Sequence, residues 1–243
     1  MNNVQLNISN LTSLWKHASM PFRTYNEGKT IGFCFIPDAQ WPNKIWLKSH
    51  DTPEILEEIK LLLKTGMDRL TFSYFDIDSG DKNLIFDYHG LKEVSIQYGM
   101  NLELAEPFEV SKPLKFHLVT DSLDAKLWSV AFKQSFGYLI SEETICKTFE
   151  TVNYFLIYDE EQIVGTVISH QTQSTFGIHS LGIIPKMRGK GYATQIMHSL
   201  LNKALQENCK LATLQASKMA KSMYEKMGFT TEFIMRNYKL KIQ

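Results

Sequence analysis

The chain of 243 residues is long enough for one large domain or two smaller ones, each with its own hydrophobic core. Its 26 basic and 26 acidic residues cancel, which excludes an overall field that would attract nucleic acid or an anionic membrane. With 44% apolar and 21% charged residues, its composition is that of a globular protein rather than a disordered one. We therefore expect no nucleic-acid partner, and any attraction for a polyanion must be local.

The chain shows no pattern typical of export or membrane insertion. Residues 1–20 lack a basic lead followed by an apolar core and a small-residue cleavage site. No apolar run approaches the ~20 residues that span a bilayer. The three cysteines, Cys34, Cys146 and Cys209, are odd in number and far apart, so they predict neither a disulfide framework nor a zinc site. These features predict a cytoplasmic protein with no membrane partner.

The first hundred residues are predicted to mix α and β structure. Strands are expected over residues 29–37 and 43–47. Asp51 or Thr52 can cap a helix that starts at Pro53, and apolar positions at helical spacing continue this helix to a stop at Gly66. A strand over residues 69–75 and a polar turn over residues 78–83 follow. The segments LIFDYHG, KEVSIQYG and NLELA complete this half.

The segment over residues 105–115 contains two prolines and separates the two halves of the chain. We therefore predict a domain boundary here, with an N-terminal mixed α/β domain over residues 1–110 and a second domain over residues 111–243. Both halves share a texture of strand, helix and strand. This texture permits an ancient duplication, although sequence identity between the halves does not show one.

The second half is predicted to begin with a strand at residue 115 and two helices, over residues 123–136 and 141–149. A hairpin follows, with strands over residues 153–159 and 162–171 and a turn near Glu160 and Glu161. The last predicted elements are a strand over residues 176–184, a helix to about Asn208, a strand from Leu211, a helix that Gly228 stops, and a closing strand over residues 233–240.

A basic glycine loop joins the strand over residues 176–184 to the next helix. Pro185 removes a backbone donor and ends the strand, and Arg188 and Lys190 then alternate with Gly189 and Gly191. A helix start exposes unpaired N–H groups and carries about half a positive charge. Glycines allow a positive φ and close approach of the backbone, so several amides could converge on a pyrophosphate. The alternative is a solvated basic turn.

Two motifs at a defined separation carry a resemblance to a known family. The loop has neither the Gly-Lys-Ser/Thr triplet of a Walker loop nor the three-glycine dinucleotide fingerprint. The run Arg188-Gly189-Lys190-Gly191-Tyr192-Ala193, followed by a helix, a strand and Tyr224-Glu225-Lys226-Met227-Gly228-Phe229, resembles the GNAT superfamily of acetyl-CoA-dependent N-acetyltransferases. The first motif is similar to that family's Gln/Arg-x-x-Gly-x-Gly/Ala signature and the second to its Tyr-Glu-Lys-x-Gly-Phe ending. The resemblance covers roughly residues 115–240.

The resemblance implies a fold and a binding site for acetyl-CoA. The expected fold is α/β (α+β), with a mixed, splayed central sheet and flanking helices. The smaller α/β N-terminal domain is then either accessory or a degenerate copy. The strand before the loop would splay from the strand over residues 211–216, and the acyl arm would lie in the wedge. The implied cofactor contacts are backbone groups of Ile183 and Ile184 for the pantetheine and, for the pyrophosphate, amides of Arg188, Gly189, Lys190, Gly191, Tyr192 and Ala193, with Thr194 nearby.

The resemblance also implies candidates for proton transfer. Tyr224 stands where the family often places a tyrosine that protonates the leaving thiolate; the alternative is an aromatic packed in the core. His179, expected on the same strand face as Ile183, stands where some relatives carry a histidine that accepts the amine proton. Others use a glutamate two residues earlier, where this chain has Gly177. A packed or hydrogen-bonded histidine is the alternative interpretation of His179.

Two further patterns limit what can be carried over from the family. Many relatives have an asparagine seven positions before the motif tyrosine; Ser217 stands there, which puts a side-chain contact with the cofactor in doubt but suits a helix cap. The run Asp76-x-Asp78-x-x-Asp81-x-Asn83 has its glycine at the fifth rather than the sixth position, so a polar turn is predicted in place of a calcium loop. We expect no metal.

The predicted function is transfer of an acetyl group from acetyl-CoA to a primary amine of a small molecule or peptide, by direct attack in a ternary complex. The protein would act as a monomer or homodimer. Amino acids, polyamines, peptides and antibiotics all remain as acceptor classes. One alternative is a non-catalytic sensor or regulator that binds acyl-CoA, and another is transfer of a longer acyl group.

Overall fold

The computed structural model describes residues 1–37, 39–48, 52–65, 69–77 and 83–241. Its helices are α1 (Asn3–Ser19), α2 (Pro53–Thr65), α3 (Asn83–Tyr88), α4 (Ser122–Phe136), α5 (Glu142–Thr148), α6 (Tyr192–Gln206) and α7 (Lys221–Lys226). Its strands are β1 (Tyr25–Glu27), β2 (Ile31–Cys34), β3 (Lys44–Leu47), β4 (Thr71–Asp76), β5 (Leu91–Glu103), β6 (Lys115–Leu118), β7 (Asn153–Asp159), β8 (Gln162–Thr172), β9 (Thr175–Ile183), β10 (Leu211–Ala216) and β11 (Thr230–Leu240). Among the described residues, no helix combines the length and the apolar character that crossing a membrane requires.

The chain divides into two compact units, each made of two separate stretches of sequence. The first unit comprises Met1–Ala18 and Asn101–Leu214, and the second comprises Ser19–Met100 and Gln215–Gln243. These two units differ from the two domains predicted from the prolines, which meet between residues 110 and 111. The reason is that α1 packs within the first unit, while β11 pairs with β4 in the second. How function divides between the two halves stays a prediction.

The first unit contains a mixed sheet in the order β10-β9-β8-β7-β6. Its neighbours are antiparallel except β9 and β10, which are parallel. The β9–β10 register covers only Leu211↔Thr175 to Thr213↔Gly177, although both strands continue further. The two strands therefore part beyond Gly177, which confirms the predicted splay.

Helices α4 and α5 of the first unit lie where the sequence predicts two helices, over residues 123–136 and 141–149, and each begins at a capping side chain. Asp121 accepts a hydrogen bond from the Asp124 amide at the start of α4, and Gly137 ends that helix in the left-handed region with φ 79°. The same arrangement starts α5, where Ser141 accepts from the Thr144 amide. Trp128 of α4 is fully buried and its indole N–H donates to the carbonyl of Phe155 on β7, which fixes α4 against the sheet.

The second unit contains strands in the order β1-β2-β3-β4-β11-β5. The β3–β4 pair is parallel and is joined through α2, while β1–β2, β2–β3 and β4–β11 are antiparallel. The segment LIFDYHG largely forms α3, and KEVSIQYG and NLELA belong to one continuous strand, β5. The predicted cap at Asp51, the stop at Gly66 and the polar turn over residues 78–82 lie outside the described residues. The core is built from apolar residues of the sheet, α2 and α3, among them Ile45, Leu56, Ile59, Phe72, Phe86 and Tyr238.

The two halves of the sequence repeat one order of elements. In the first half, β1-β2-β3-α2-β4-α3-β5 follows the same course as β7-β8-β9-α6-β10-α7-β11 in the second. Each repeat contains antiparallel strands, a helical crossover and a parallel strand. The last strands are exchanged: β11 pairs with β4, and the Leu104 amide after β5 donates to the carbonyl of Lys210 before β10. This repeat supports the interpretation of the N-terminal half as a degenerate copy.

Candidate active site

The basic glycine loop lies between β9 and α6, as predicted. The Ile184 amide still donates to the carbonyl of Val164 on β8, and Pro185–Met187 then form a single 3-10 turn. Gly189 and Gly191 have φ values of 76° and 79°, where a side chain would be strained although space is available. Gly191 is the N-cap of α6 and makes no side-chain capping bond. The first amides of a 15-residue helix therefore have no intrahelical partner and face an exposed loop.

The Arg188 side chain braces this loop. Its Nε donates to the carbonyl of Ile183 at 3.1 Å, and a terminal nitrogen donates to the carbonyl of Ser135 at 2.8 Å. Ser135 is in the last turn of α4, whose carbonyl end favours a cation. The guanidinium thus fastens the loop to α4 through hydrogen bonds to carbonyl oxygens, a role that the motif did not indicate. Lys190 is exposed, and its ammonium lies 3.8 Å from the Met187 sulfur.

Tyr192 begins α6 and is anchored through its hydroxyl. The hydroxyl donates to Oδ2 of Asp159, which also accepts from the Lys112 ammonium at 2.5 Å. Hydrogen bonds from Lys112 and then Tyr192 lower the pKa of Asp159, and the bond to Asp159 raises the pKa of Tyr192. The predicted contact of Tyr192 with a cofactor uses its backbone amide, so this anchoring does not compete with it.

The segment over residues 105–115, predicted as a domain boundary, lies along α6 as a strap within the first unit. Gln195 Oε1 accepts from the amides of Ser111 and Lys112 at 3.1 and 3.2 Å. Further along, Asn202 exchanges two hydrogen bonds with the backbone of Phe108, at 2.7 and 2.8 Å. The two prolines end regular structure in this segment, but they do not release it from its neighbours, and it stays bound to α6.

His179 lies on β9, two residues beyond the point where β9 and β10 cease to pair. It is 7% exposed, and its Nε2 is 2.9 Å from Oδ1 of Asn10 on α1. Asn10 is fully buried, and its amide nitrogen donates to the carbonyl of His170 at 2.8 Å and to Thr172 Oγ1 at 2.9 Å. The N-terminal helix therefore contributes directly to the surroundings of the predicted base.

A β-bulge corrects one prediction about His179. On β8 the register advances two residues from Thr166 to Ile168, while on β9 it advances three, from Gly182 back to His179. The extra residue on β9 lies in a stretch where Ser180 has a φ of 52°. One extra residue shifts the alternation of side chains. His179 and Ile183 consequently lie on opposite faces, and the prediction of a shared face was wrong.

His170 forms a second histidine contact with α1. It is 6% exposed, and its Nε2 lies 3.1 Å from Ser13 Oγ. The ring of His17 is 5.2 Å away between centroids, and His17 Nδ1 is 2.7 Å from the carbonyl of Ser13. Burial, and then the neighbouring His17, lower the pKa of His170 to about 4. His170 is therefore neutral at pH 7.

Tyr224 and Ser217 belong to the second unit, whereas the glycine loop and His179 belong to the first. Tyr224 lies on α7, is 7% exposed and packs edge to face on Phe229. Burial raises the pKa of Tyr224 to about 12, so its hydroxyl keeps its proton at neutral pH. The Ser217 hydroxyl accepts from the Ala220 amide at 3.3 Å in the turn that precedes α7. The N-cap of α7 is Ala220, so Ser217 stabilises this turn rather than capping the helix itself.

Sequence reasoning missed α1 and the side chains that it contributes. The buried residues Asn7, Leu11, Leu14 and Ala18 recur at helical spacing, and this period was the available signal. Asn10 also falls on this face, but nothing in its neighbourhood marks an asparagine as functional. Among the described residues, no group of three or more His, Cys, Asp or Glu could hold a metal ion. Asp76, from the calcium-like run, is paired with Arg236 instead, while Asp78 and Asp81 lie outside the described residues.

Comparison with known proteins agrees with this geometry. Residues 121–229 match the family model described as "Acetyltransferase (GNAT) family". Residues 121–229 form a GNAT acetyltransferase domain. The match spans α4 to the end of the second motif, and so includes the GNAT glycine loop. No curated protein sequence matches the chain.

Solved structures extend the GNAT fold over nearly the whole chain. A GCN5-related N-acetyltransferase from Kribbella flavida is 11% identical with a TM-score of 0.70, and the match covers 98% of this chain and 97% of that one. One from Sphaerobacter thermophilus is 16% identical with a TM-score of 0.60, covering 88% and 81%. A tandem GNAT protein from the clavulanic acid biosynthesis pathway is 9% identical with a TM-score of 0.55, covering 86% and 77%. At these identities the likeness concerns the fold.

The GNAT domain also has features that fit acetyl-CoA, the cosubstrate of this family. The two glycines at positive φ leave open space above the backbone, and the uncapped start of α6 presents amides to an anion. The parting of β9 and β10 beyond Gly177 leaves the edge of β9 unpaired with β10 along the stretch that leads to the loop. An extended ligand arm can pair with such a strand edge.

Proposed function

We propose that the protein transfers the acetyl group of acetyl-CoA to a primary amine of a small molecule or peptide. One observation carries this proposal: a glycine loop opens onto the uncapped N-terminus of α6, at the end of a strand that has parted from its parallel neighbour. Diphosphate charge is stabilised by helix amides and by the dipole of α6. The same strand then directs whatever is bound along it toward His179.

Backbone groups hold the cosubstrate in this proposal. The amides from Arg188 to Ala193, with Thr194 nearby, bind the diphosphate, and backbone groups of Ile183 and Ile184 bind the pantetheine arm. Acetyl-CoA supplies an acetyl group activated as a thioester. Arg188 contributes by holding the loop closed against α4 as well as by its charge, because its guanidinium donates to two carbonyl oxygens. Ser217, already bonded to the Ala220 amide, is a weaker candidate for a cofactor contact.

Two side chains handle protons in this proposal. His179 accepts a proton from the attacking amine, and its bond to Asn10 keeps the ring in place. Tyr224 donates a proton to the leaving thiolate, and its hydroxyl is protonated at pH 7 because burial holds its pKa above the ordinary value. Tyr224→Phe should lower kcat while leaving the affinity for acetyl-CoA nearly unchanged. Full activity in Tyr224→Phe would remove the acid role.

Calorimetric titration of acetyl-CoA tests the binding site. Lys190→Glu reverses an exposed charge in the loop and should weaken binding by about tenfold, since it opposes the anion where the helix amides face it. Lys126→Glu, exposed on α4, is the matched control and should bind as the wild type does. Absence of binding by folded wild-type protein would refute the proposal.

Release of free thiol with a panel of amines then tests catalysis. Turnover with at least one amino acid, polyamine, peptide or amine antibiotic is expected. Binding of acetyl-CoA without turnover across that panel would favour a sensor of acyl-CoA instead.

A further inference from the structure

Asn10 makes three hydrogen bonds that together determine which way its amide points. Its nitrogen donates to the carbonyl oxygen of His170 at 2.8 Å and to Thr172 Oγ1 at 2.9 Å, and its oxygen lies 2.9 Å from His179 Nε2. A backbone carbonyl can only accept a hydrogen bond. The Asn10 nitrogen must therefore face β8, and its oxygen must face His179.

The orientation of the Asn10 amide decides which ring nitrogen of His179 carries a hydrogen. The Asn10 oxygen has no hydrogen to give, so the bond at 2.9 Å requires a hydrogen on His179 Nε2. In a neutral imidazole one nitrogen carries the hydrogen and the other is the base. Nδ1 is then the basic nitrogen of His179.

Gly177 makes room for this pair. A Cβ at position 177 would lie 1.9 Å from the Asn10 amide oxygen and 2.4 Å from His179 Nε2. Both distances are much shorter than a van der Waals contact, so any side chain at position 177 must displace Asn10 and His179. Gly177 and the Asn10–His179 bond are consequently parts of one arrangement, in which the glycine excludes a carboxylate at the position where some relatives carry one.

We propose that Asn10 is a positioning residue for catalysis: it holds His179 as the Nε2–H tautomer, so that Nδ1 takes the proton of the acceptor amine. This inference rests on the proposed role of His179 as the base. When the amine N–H breaks, its proton passes to Nδ1 and the ring becomes a cation. The Asn10 oxygen then accepts a stronger hydrogen bond from Nε2–H, because the donor is now charged. A helix outside the sequence motifs thus selects the reacting atom.

Long-range proton–nitrogen correlation NMR of protein labelled with ¹⁵N-histidine reads the tautomer directly. The seven histidines are resolved by comparison with His179→Gln, in which the His179 signals disappear. The wild type should show the Nε2–H pattern for His179. In Asn10→Ala the pattern should move toward a mixture of tautomers, and kcat should fall by about tenfold or more with little change in KM for acetyl-CoA. Asn10→Asp keeps an acceptor oxygen and should keep the Nε2–H pattern.

Ser13→Ala is the matched control, since Ser13 lies on the same helix but contacts His170. It should leave the His179 pattern and kcat as in the wild type. An Nδ1–H pattern in the wild type overturns the inference. A wild-type pattern and a wild-type kcat in Asn10→Ala also overturn it, because Asn10 then has no effect on the ring. Full turnover by His179→Gln overturns it through the base role, which separates the two failures. The wild-type spectrum decides the tautomer even where Asn10→Ala does not fold.

Discussion

Mild acid should destabilise the protein through His170. Its pKa is about 4 in the folded state, because it is buried and lies beside His17, against 6.5 for an ordinary histidine. Between these two values the unfolded chain binds a proton that the folded protein does not. Folding stability therefore rises with pH through this window and is lost as the pH falls from 6.5 toward 4.

The size of the effect follows from the two pKa values. A difference of about 2.5 in pKa, at ~1.36 kcal/mol for each unit, gives about 3.4 kcal/mol once the pH is below both values. Between pH 7.5 and pH 5.0, where titration of the unfolded chain is nearly complete, about 2 kcal/mol of this should be lost. That is a large share of the roughly 5–15 kcal/mol typical of a folded domain.

Urea unfolding followed by tryptophan fluorescence at several pH values measures this loss. His170→Gln has no group that titrates at this position, so its stability should fall by about 2 kcal/mol less than that of the wild type between pH 7.5 and 5.0. His89→Gln, on the second unit, serves as a control for a general effect of removing a histidine. Parallel pH profiles for wild type and His170→Gln would refute the reasoning.

Three further substitutions test the loop and the second unit. Gly191→Ala places a side chain at φ 79°, so thermal unfolding should show a loss of stability of about 1 kcal/mol, and calorimetry should show several-fold weaker binding of acetyl-CoA. Unchanged stability and binding would contradict the need for glycine at this position. Arg188→Ala removes both hydrogen bonds to carbonyl oxygens, so urea unfolding without cosubstrate should show a loss of folding stability of about 1 kcal/mol. Weaker binding of acetyl-CoA with unchanged stability would argue against the brace to Ser135. Arg236→Met leaves the Asp76 carboxylate, which is only 5% exposed, without its arginine partner, and folding stability should fall by about 3 kcal/mol. Adding Asp76→Asn should restore part of that stability. If the double variant is no more stable than Arg236→Met, the ion pair is not the cause of the loss.

Local signals in the sequence predicted those parts of the fold that depend on neighbours along the chain. The glycine loop follows from the positive φ of Gly189 and Gly191, and α4 begins at the cap provided by Asp121. These features need only a few adjacent residues. The loop and the hairpin that precedes it consequently lie where the residue pattern predicts them.

Features that depend on distant contacts could not be predicted in this way. Asn10 matters because α1 meets β8 and β9 some 160 residues later, and no local pattern encodes that meeting. The bulge near Ser180 adds one residue to β9, which the alternation of side chains alone does not reveal. The strap over residues 105–115 likewise owes its position to Gln195 and Asn202 on α6.

Because the final strands are exchanged, neither repeat can be cut out of the chain as a complete domain. A fragment cut at the predicted boundary, beginning at residue 111, would lack α1 and Leu104, and so would lose the partner of His179 together with the hydrogen bond that Leu104 donates to Lys210. Its complement would lack β11, which lies between β4 and β5. A study of fragments therefore needs both pieces expressed together rather than residues 111–243 alone.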